Sequence, residues 1–259
     1  MPGDKKIRYR IAQTRNELEQ SFALVYNEYA GRGYIPKGYK SKLRLSIYNA
    51  IPKTTTFVAK QANKVVATVT LIPDSELGIP MDKLYKKEVG VLRKKRLKVA
   101  EVSQLSIDST LFPKSWFSMF NFNKLMFVFK LFKLVFDYAR EIANLDELCI
   151  AVNPKHQYLY KFLFFEPLGG GLKYYGSVNK APALAFHLNL GKDLQHKSKA
   201  RIALHKIFYG GQVSSETLQG KFVMKPTDLD YFFVKKSDIF LKAPANELNY
   251  IKKCYPGKI

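Results

Sequence analysis

Apolar residues along this chain switch between two spacings, and the switches mark out its elements. Ile7-Arg8-Tyr9-Arg10-Ile11-Ala12 alternates with period two, the pattern of a half-buried strand. Thr14-Arg15-Asn16-Glu17 then forms a capping box in which the Thr14 hydroxyl accepts from the Glu17 amide. Leu18, Phe22, Val25, Tyr26 and Tyr29 recur at helical spacing, and Gly31 and Gly33 end that helix. Residues 34–52, rich in Lys and Tyr, predict loop with a short helix. The β-branched runs 54–60 and 65–72 read as a hairpin, with Pro73 closing the second strand. A basic helix over 81–95, a longer strand over 97–108, an amphipathic helix over 123–144 and a short apolar strand over 147–152 follow. A short helix over 158–165 comes next. Gly169-Gly170-Gly171 is expected to turn the chain into a last strand pair, 172–177 and 183–190.

The order β-α-ββ-α-β-α-β-α-ββ predicts an α/β (α+β) fold, a mixed twisted sheet with helices on both faces. Residues 1–190 are read as one domain. Residues 191–259 are read as a basic, aromatic-rich C-terminal extension packed on it, helical over 192–208 and 245–253. One stretch, 116–136, is apolar enough to be mistaken for a membrane span. However, Lys124, Lys130 and Lys133 would be costly at bilayer depth. On a helical wheel Lys130, Lys133, Asp137, Arg140, Glu141 and Asn144 share one stripe. Leu125, Val128, Phe132, Val135, Phe136 and Ala139 share the other, as in a helix that covers a core.

Charge changes the picture more than overall hydrophobicity does. Forty-three Lys and Arg against 21 Asp and Glu give +22, a field that attracts acidic partners: nucleic acid, anionic lipid or an acidic protein. A merely lysine-rich surface is the plainer alternative. Cys149 reads as a buried thiol and Cys254 lies in a basic tail. Neither they nor the four histidines have metal-ligand spacing, so no metal and no bound cofactor is expected. The charged N-terminus lacks an apolar signal region, so a cytoplasmic location is expected.

Several segments resemble a known family. Glu101-Val102-Ser103-Gln104-Leu105-Ser106-Ile107-Asp108 is similar to the Glu-x-Ser-Arg-Phe strand of the acyl-homoserine-lactone synthases. It is closer to the corresponding strand of the N-acyl amino acid synthases. Phe22-Ala23-Leu24-Val25-Tyr26-Asn27-Glu28-Tyr29 with Gly33-Tyr34 resembles that family's opening helix. Leu71-Ile72-Pro73-Asp74-Ser75 with Gly78-Ile79-Pro80-Met81-Asp82 resembles a family loop. The segment from Asn153 to Phe165 resembles the wider acetyltransferase (GNAT) pattern, with Tyr160 at the helix tyrosine and Phe164 in place of its usual glycine. Where coenzyme-A-dependent members have a glycine-rich phosphate loop, this chain reads Asp108-Ser109-Thr110-Leu111-Phe112-Pro113-Lys114-Ser115, without glycine.

The resemblance implies a GNAT-fold N-acyltransferase that moves a long fatty acyl group from an acyl-carrier-protein thioester to the α-amine of an amino acid. Acyl-coenzyme A is the alternative donor. Glu101 is the expected general base, because a carboxylate on a covered strand requires either a partner or a function. The competing reading is an ion pair with Arg10, Arg96 or another basic residue. Tyr160 is a candidate to protonate the leaving thiolate, and equally a core or channel tyrosine. Backbone amides at Leu105, Ser106 and Ile107 are expected to hold the oxyanion. Ser103, Gln104, Arg32 and Arg44 are candidates for binding the amino acid, the two arginines being otherwise ordinary surface cations. Phe112, Trp116, Phe117 and Phe120, with Phe122, Phe127 and Phe129, are candidates for an acyl tunnel, with core packing the alternative. Arg93, Lys94, Lys95, Arg96 and Lys98 are expected to dock the acidic carrier protein, although charge runs are usually solvated. Peripheral contact with an anionic membrane is a further candidate. Two other functions stay open: N-acylation of another amine, and a non-catalytic basic protein. Nucleic acid is not an expected partner, since no helix-turn-helix, zinc finger or RNP-like strand is present.

Overall fold

The computed structural model describes residues 6–36, 38, 41–111, 122–191 and 215–256. Seven strands form one sheet in the order β1-β2-β3-β4-β5-β7-β6. They are β1 (Ile7–Ile11), β2 (Thr55–Gln61), β3 (Lys64–Pro73), β4 (Val99–Ile107), β5 (Glu147–Val152), β6 (Glu166–Tyr175) and β7 (Ala181–Asn189). Four helices alternate with them: α1 (Arg15–Gly31), α2 (Asp82–Lys94), α3 (Phe122–Asp137) and α4 (Gln157–Phe162). The predicted element order is therefore the observed one.

The local chemistry works as the pattern requires. The Glu17 amide donates to the Thr14 hydroxyl at 3.2 Å and starts α1. Nearly every residue of β2 and β3 is buried, because helices cover both faces of the sheet. On one face Phe132, Val135, Phe136 and Ala139 of the α3 region pack against Phe57, Val69, Leu71, Ala100, Leu148 and Phe186. On the other, Tyr85, Val89 and Leu92 of α2 cover Val99 and Cys149. Asp137, on the predicted polar stripe, is buried against Lys133 at 2.7 Å. Among the described residues no helix is long and apolar enough to cross a membrane.

Gly169, Gly170 and Gly171 do not turn the chain. They lie inside β6, all at positive φ, where the register against β7 shifts twice. The chain turns into β6 earlier, at Phe164 with a φ of 70°, and the reversal between β6 and β7 falls at Asn179 and Lys180, with φ of 53° and 54°, inside the gap expected between 177 and 183. Gly170 has two reasons to be glycine. Its φ is +78°, and a Cβ there would sit 2.2 Å from Glu88 Oε1 and 3.0 Å from the Tyr85 ring. Gly170→Ala is expected to cost on the order of 1–3 kcal/mol, read as a lowered midpoint in chemical denaturation; an unchanged midpoint would refute this account of the bulge.

Beyond the sheet, α5 (Ser215–Leu218), α6 (Pro226–Asp230), α7 (Ile239–Lys242) and α8 (Ala245–Cys254) continue the chain. Leu229, Phe232, Phe233, Ile251 and Tyr255 are buried in one apolar cluster with Phe22, Leu45, Tyr48 and Ile51. Phe232 meets Phe22 edge to face at 5.5 Å. The helix expected over 192–208 lies outside the described residues.

Candidate functional site

One break in the sheet makes the site. β4 and β5 are parallel neighbours, yet they pair only from Val99 to Glu101, against Glu147 to Cys149. Past Glu101 the two strands part, and β5 goes on paired to β7 alone on its other side. The edge of β4 after Glu101 is left without a strand partner on that side. The opening becomes a cavity of about 710 Å³, lined on one side by residues 101–107 and on the other by 150–153.

β4 also bulges where it lines this cavity. Thr68 pairs with Ser106 and Thr70 with Ser103, so Gln104 and Leu105 together oppose Val69. Gln104 takes a φ of 55° to make this possible. The expected amide-presenting stretch, Leu105, Ser106 and Ile107, begins at this bulge, and all three line the cavity. The Ser106 hydroxyl is buried and has no hydrogen-bond partner among the described residues.

Glu101 sits at the base of the opening and is 4% exposed. Its Oε2 accepts from the Met81 amide at the start of α2, at 2.6 Å. Burial pushes its carboxyl up to about 8; the Met81 amide opposes this, neighbouring Asp82 adds to it, and the Ser103 hydroxyl opposes it. Neither expected cation reaches it. Arg10 instead pairs with Glu17, whose carboxyl lies below the usual range because, against the effect of burial, the Gln13 amide, Lys60 and Arg10 all favour its charged form. Arg96 is exposed beyond the end of α2. Among the described residues Glu101 has no ion-pair partner.

The other candidates divide. Tyr160, on α4, lines the cavity with its ring 6.0 Å from Phe132 and 6.1 Å from Phe165. Burial raises its hydroxyl well above the ordinary tyrosine range. Arg32 and Arg44 both line the cavity, and Arg32 also holds Glu28 at 3.0 Å. Gln104 is engaged inside the protein: its Oε1 accepts from Asn49 at 3.1 Å, and its Nε2 lies within 3.3 Å of Asn49 Oδ1. It thereby ties the segment carrying Arg44 and Tyr48 to β4 while itself lining the cavity.

The basic run expected to dock the carrier protein divides: Asp74 and Asp82 hold the Arg93 guanidinium by four hydrogen bonds of 2.6 to 2.9 Å. Lys94, Lys95, Arg96 and Lys98 are exposed. Of the candidate tunnel phenylalanines, Phe127 packs on Tyr9 and Phe129 on Phe162, with centroids 6.0 and 5.5 Å apart, as in the core-packing alternative, and neither is among the residues lining the cavity. The α3 side chains that do line it are Leu125, Val128 and Phe132. Phe112, Trp116, Phe117 and Phe120 lie outside the described residues, as does the side chain of Phe122.

Sequence reasoning missed Tyr48, Asn49 and the wall from α7 and α8. Their approach is set by tertiary packing, and nothing local marks it. Among the described residues no group of three His, Cys, Asp or Glu could hold a metal ion.

Known proteins bear on this geometry. The family model for the N-acyl amino acid synthase FeeM matches residues 20–189. Among solved structures the chain is similar to FeeM, an N-acyl amino acid synthase from uncultured soil microbes. The identity is 31% and the TM-score 0.63, over 76% of this chain and 97% of that one. The fold is shared with the acyl-homoserine-lactone synthase LasI, at 11% identity and a TM-score of 0.52, over 81% of this chain and 96% of that one. It is shared also with BjaI, a CoA-dependent acyl-homoserine-lactone synthase solved with MTA. There the identity is 15% and the TM-score 0.50, over 80% of this chain and 92% of that one. No curated protein matches the sequence. A sheet that parts beside a buried carboxylate, in a chain matched by this family model over most of its length, makes the protein an N-acyltransferase belonging to the N-acyl amino acid synthase family.

Proposed function

We propose that the enzyme moves a long-chain acyl group from an acyl-carrier-protein thioester to the α-amine of an amino acid, releasing an N-acyl amino acid. The observation that carries this reading is the turn after β4. In coenzyme-A-dependent enzymes of this fold, amides at that place bind a diphosphate. Here the Ser109 amide donates to Glu28 Oε1 at 2.9 Å and the Thr110 amide to Asp108 Oδ1 at 3.0 Å. Carboxylates already occupy those donors, and they would repel a diphosphate. A carrier-bound thioester brings no diphosphate, and the +22 charge with exposed Lys94, Lys95, Arg96 and Lys98 suits an acidic carrier.

In this reading the amine nitrogen attacks the thioester carbonyl carbon, and the carbon–sulfur bond breaks. Glu101 takes the amine proton. A base poised near 8 lies close to the range of an α-amine, whose own value is about 8 or above. The backbone at the bulge faces the oxyanion, and Tyr160, kept protonated by burial, offers its hydroxyl to the departing sulfur. Arg44 and Arg32 hold the acceptor carboxylate, and Leu125, Val128 and Phe132 line the path of the acyl chain. Residues 1–190 form the catalytic domain, and 191–259 an extension packed on it.

The test supplies purified enzyme with a long-chain acyl carrier protein or the matching acyl-coenzyme A, each with all twenty amino acids. Mass spectrometry is expected to find N-acyl amino acid with the carrier protein, at a kcat/KM at least tenfold above that with coenzyme A. Equal or better use of coenzyme A overturns the donor. Absence of any N-acyl amino acid overturns the acceptor.

A further inference from the structure

The cavity has a wall that the family match does not reach. The match ends at residue 189, yet Asp238, Ile239, Lys242, Ala243, Pro244 and Glu247 line the cavity. Packing holds this wall in place. Phe232, Phe233, Ile251 and Tyr255 are buried with Leu45 and Tyr48, and the Tyr255 hydroxyl donates to the Ala50 carbonyl at 2.9 Å. The Tyr231 hydroxyl donates to Glu19 at 2.9 Å. Tyr48 connects the wall to the chemistry: burial pushes its hydroxyl up to about 12, and the carboxylates of Glu247 and Glu101 both add to the rise.

The two faces of the cavity decide which end of the reaction meets this wall. The α3 face offers Leu125, Val128 and Phe132, hydrocarbon suited to an acyl chain. Ile239 and Ala243 of the opposite wall instead pack in the cluster that holds Tyr48, whose hydroxyl feels the carboxylates of both Glu247 and Glu101, and an ionic acceptor keeps polar partners there.

We infer that residues 238–247 form a specificity wall for the acceptor, in which Ile239, Ala243 and Glu247 contact the acceptor's side chain and set which acceptors fit. This rests on the acceptor being an amino acid, as proposed above. Ala243 has φ −70° and ψ 139°, a backbone that any larger residue adopts, so bulk can be added there without backbone strain.

The experiment measures KM and kcat for donor and acceptors with Ala243→Phe and Glu247→Ala. Ala243→Phe is expected to raise KM for the bulkiest acceptor used by the wild type tenfold or more relative to the smallest, with donor KM within twofold. Glu247→Ala is expected to change the ratio of kcat/KM between charged and neutral acceptors at least fivefold. Both are read beside the melting temperature. Folded variants with an unchanged acceptor order overturn the inference, as does a joint rise of donor and acceptor KM. If Ala243→Phe fails to fold, Glu247→Ala decides alone. A wild type that acylates no amino acid removes the proposed acceptor class, and this inference with it; a wild type that does so with variants of unchanged preference removes the inference only.

Discussion

Glu101→Gln is expected to lower kcat/KM for amide formation by a factor on the order of 10²–10⁴, the usual contribution of a positioned general base, while the protein becomes more stable at alkaline pH. The two effects have one cause. Glu101 is 4% exposed, accepts from the Met81 amide, and has no ion-pair partner among the described residues. Its carboxyl is pushed from about 4.5 to about 8 in the folded protein. The folded state therefore holds a proton that the unfolded state releases as pH rises through 4.5. Glu101's relative contribution to stability is fully present below about pH 4.5 and is lost as pH rises to about 8. Above pH 8 the folded protein bears a buried charge, at a cost on the order of 5 kcal/mol. Glutamine keeps an oxygen to accept from Met81 and has nothing to ionise. The difference in unfolding free energy, variant minus wild type, should therefore grow in the variant's favour from pH 5 to pH 8.5, as measured by urea denaturation. A constant difference across that range, or full activity in the variant, would remove Glu101 from its role.

The largest loss of stability is expected from Phe132→Ala. Its ring is fully buried between α3, α4 and the sheet, with Phe136, Tyr160 and Phe165 at centroid distances of 5.7, 6.0 and 6.1 Å. Truncation removes the burial and leaves a hole that such a cluster closes only in part, at a cost of about 3–5 kcal/mol. A domain of this size should melt roughly 10 °C lower or more. Phe132 also lines the apolar side of the cavity, so the surviving enzyme should tolerate bulkier or longer acyl chains, and its Tyr160 should be held less firmly. Calorimetry and a chain-length series of donors check both consequences. A melting temperature within 3 °C of wild type would mean that the ring is not the packing centre described here.

What the sequence made legible, and what it hid, follows from the range of each interaction. The capping box at Thr14, the alternation through β1 and the β-branched hairpin are local signals, and each element formed where its signal lay. Glu101 could be singled out because an ionisable residue in a strand covered on both faces conflicts with its surroundings. The triple glycine misled because the freedom that serves a turn serves equally well in a bulge, and the chain enters β6 through Phe164 instead. Arg93 read as part of a surface charge run, since its two carboxylate partners lie 11 and 19 residues earlier in the chain. The Asn49–Gln104 contact spans 55 residues, and the wall from α7 and α8 reaches the cavity from still farther along the chain. No periodicity announces contacts of that kind.

The pH dependence of kcat/KM, compared between wild type and Glu101→Gln with the same amino acid so that the amine's own ionisation enters both profiles, bears most directly on Glu101 as the base. The wild-type rate is expected to climb through an additional ionisation near pH 8 that the Glu101→Gln profile lacks. Two profiles of the same shape from pH 6.5 to 9.5 would contradict it.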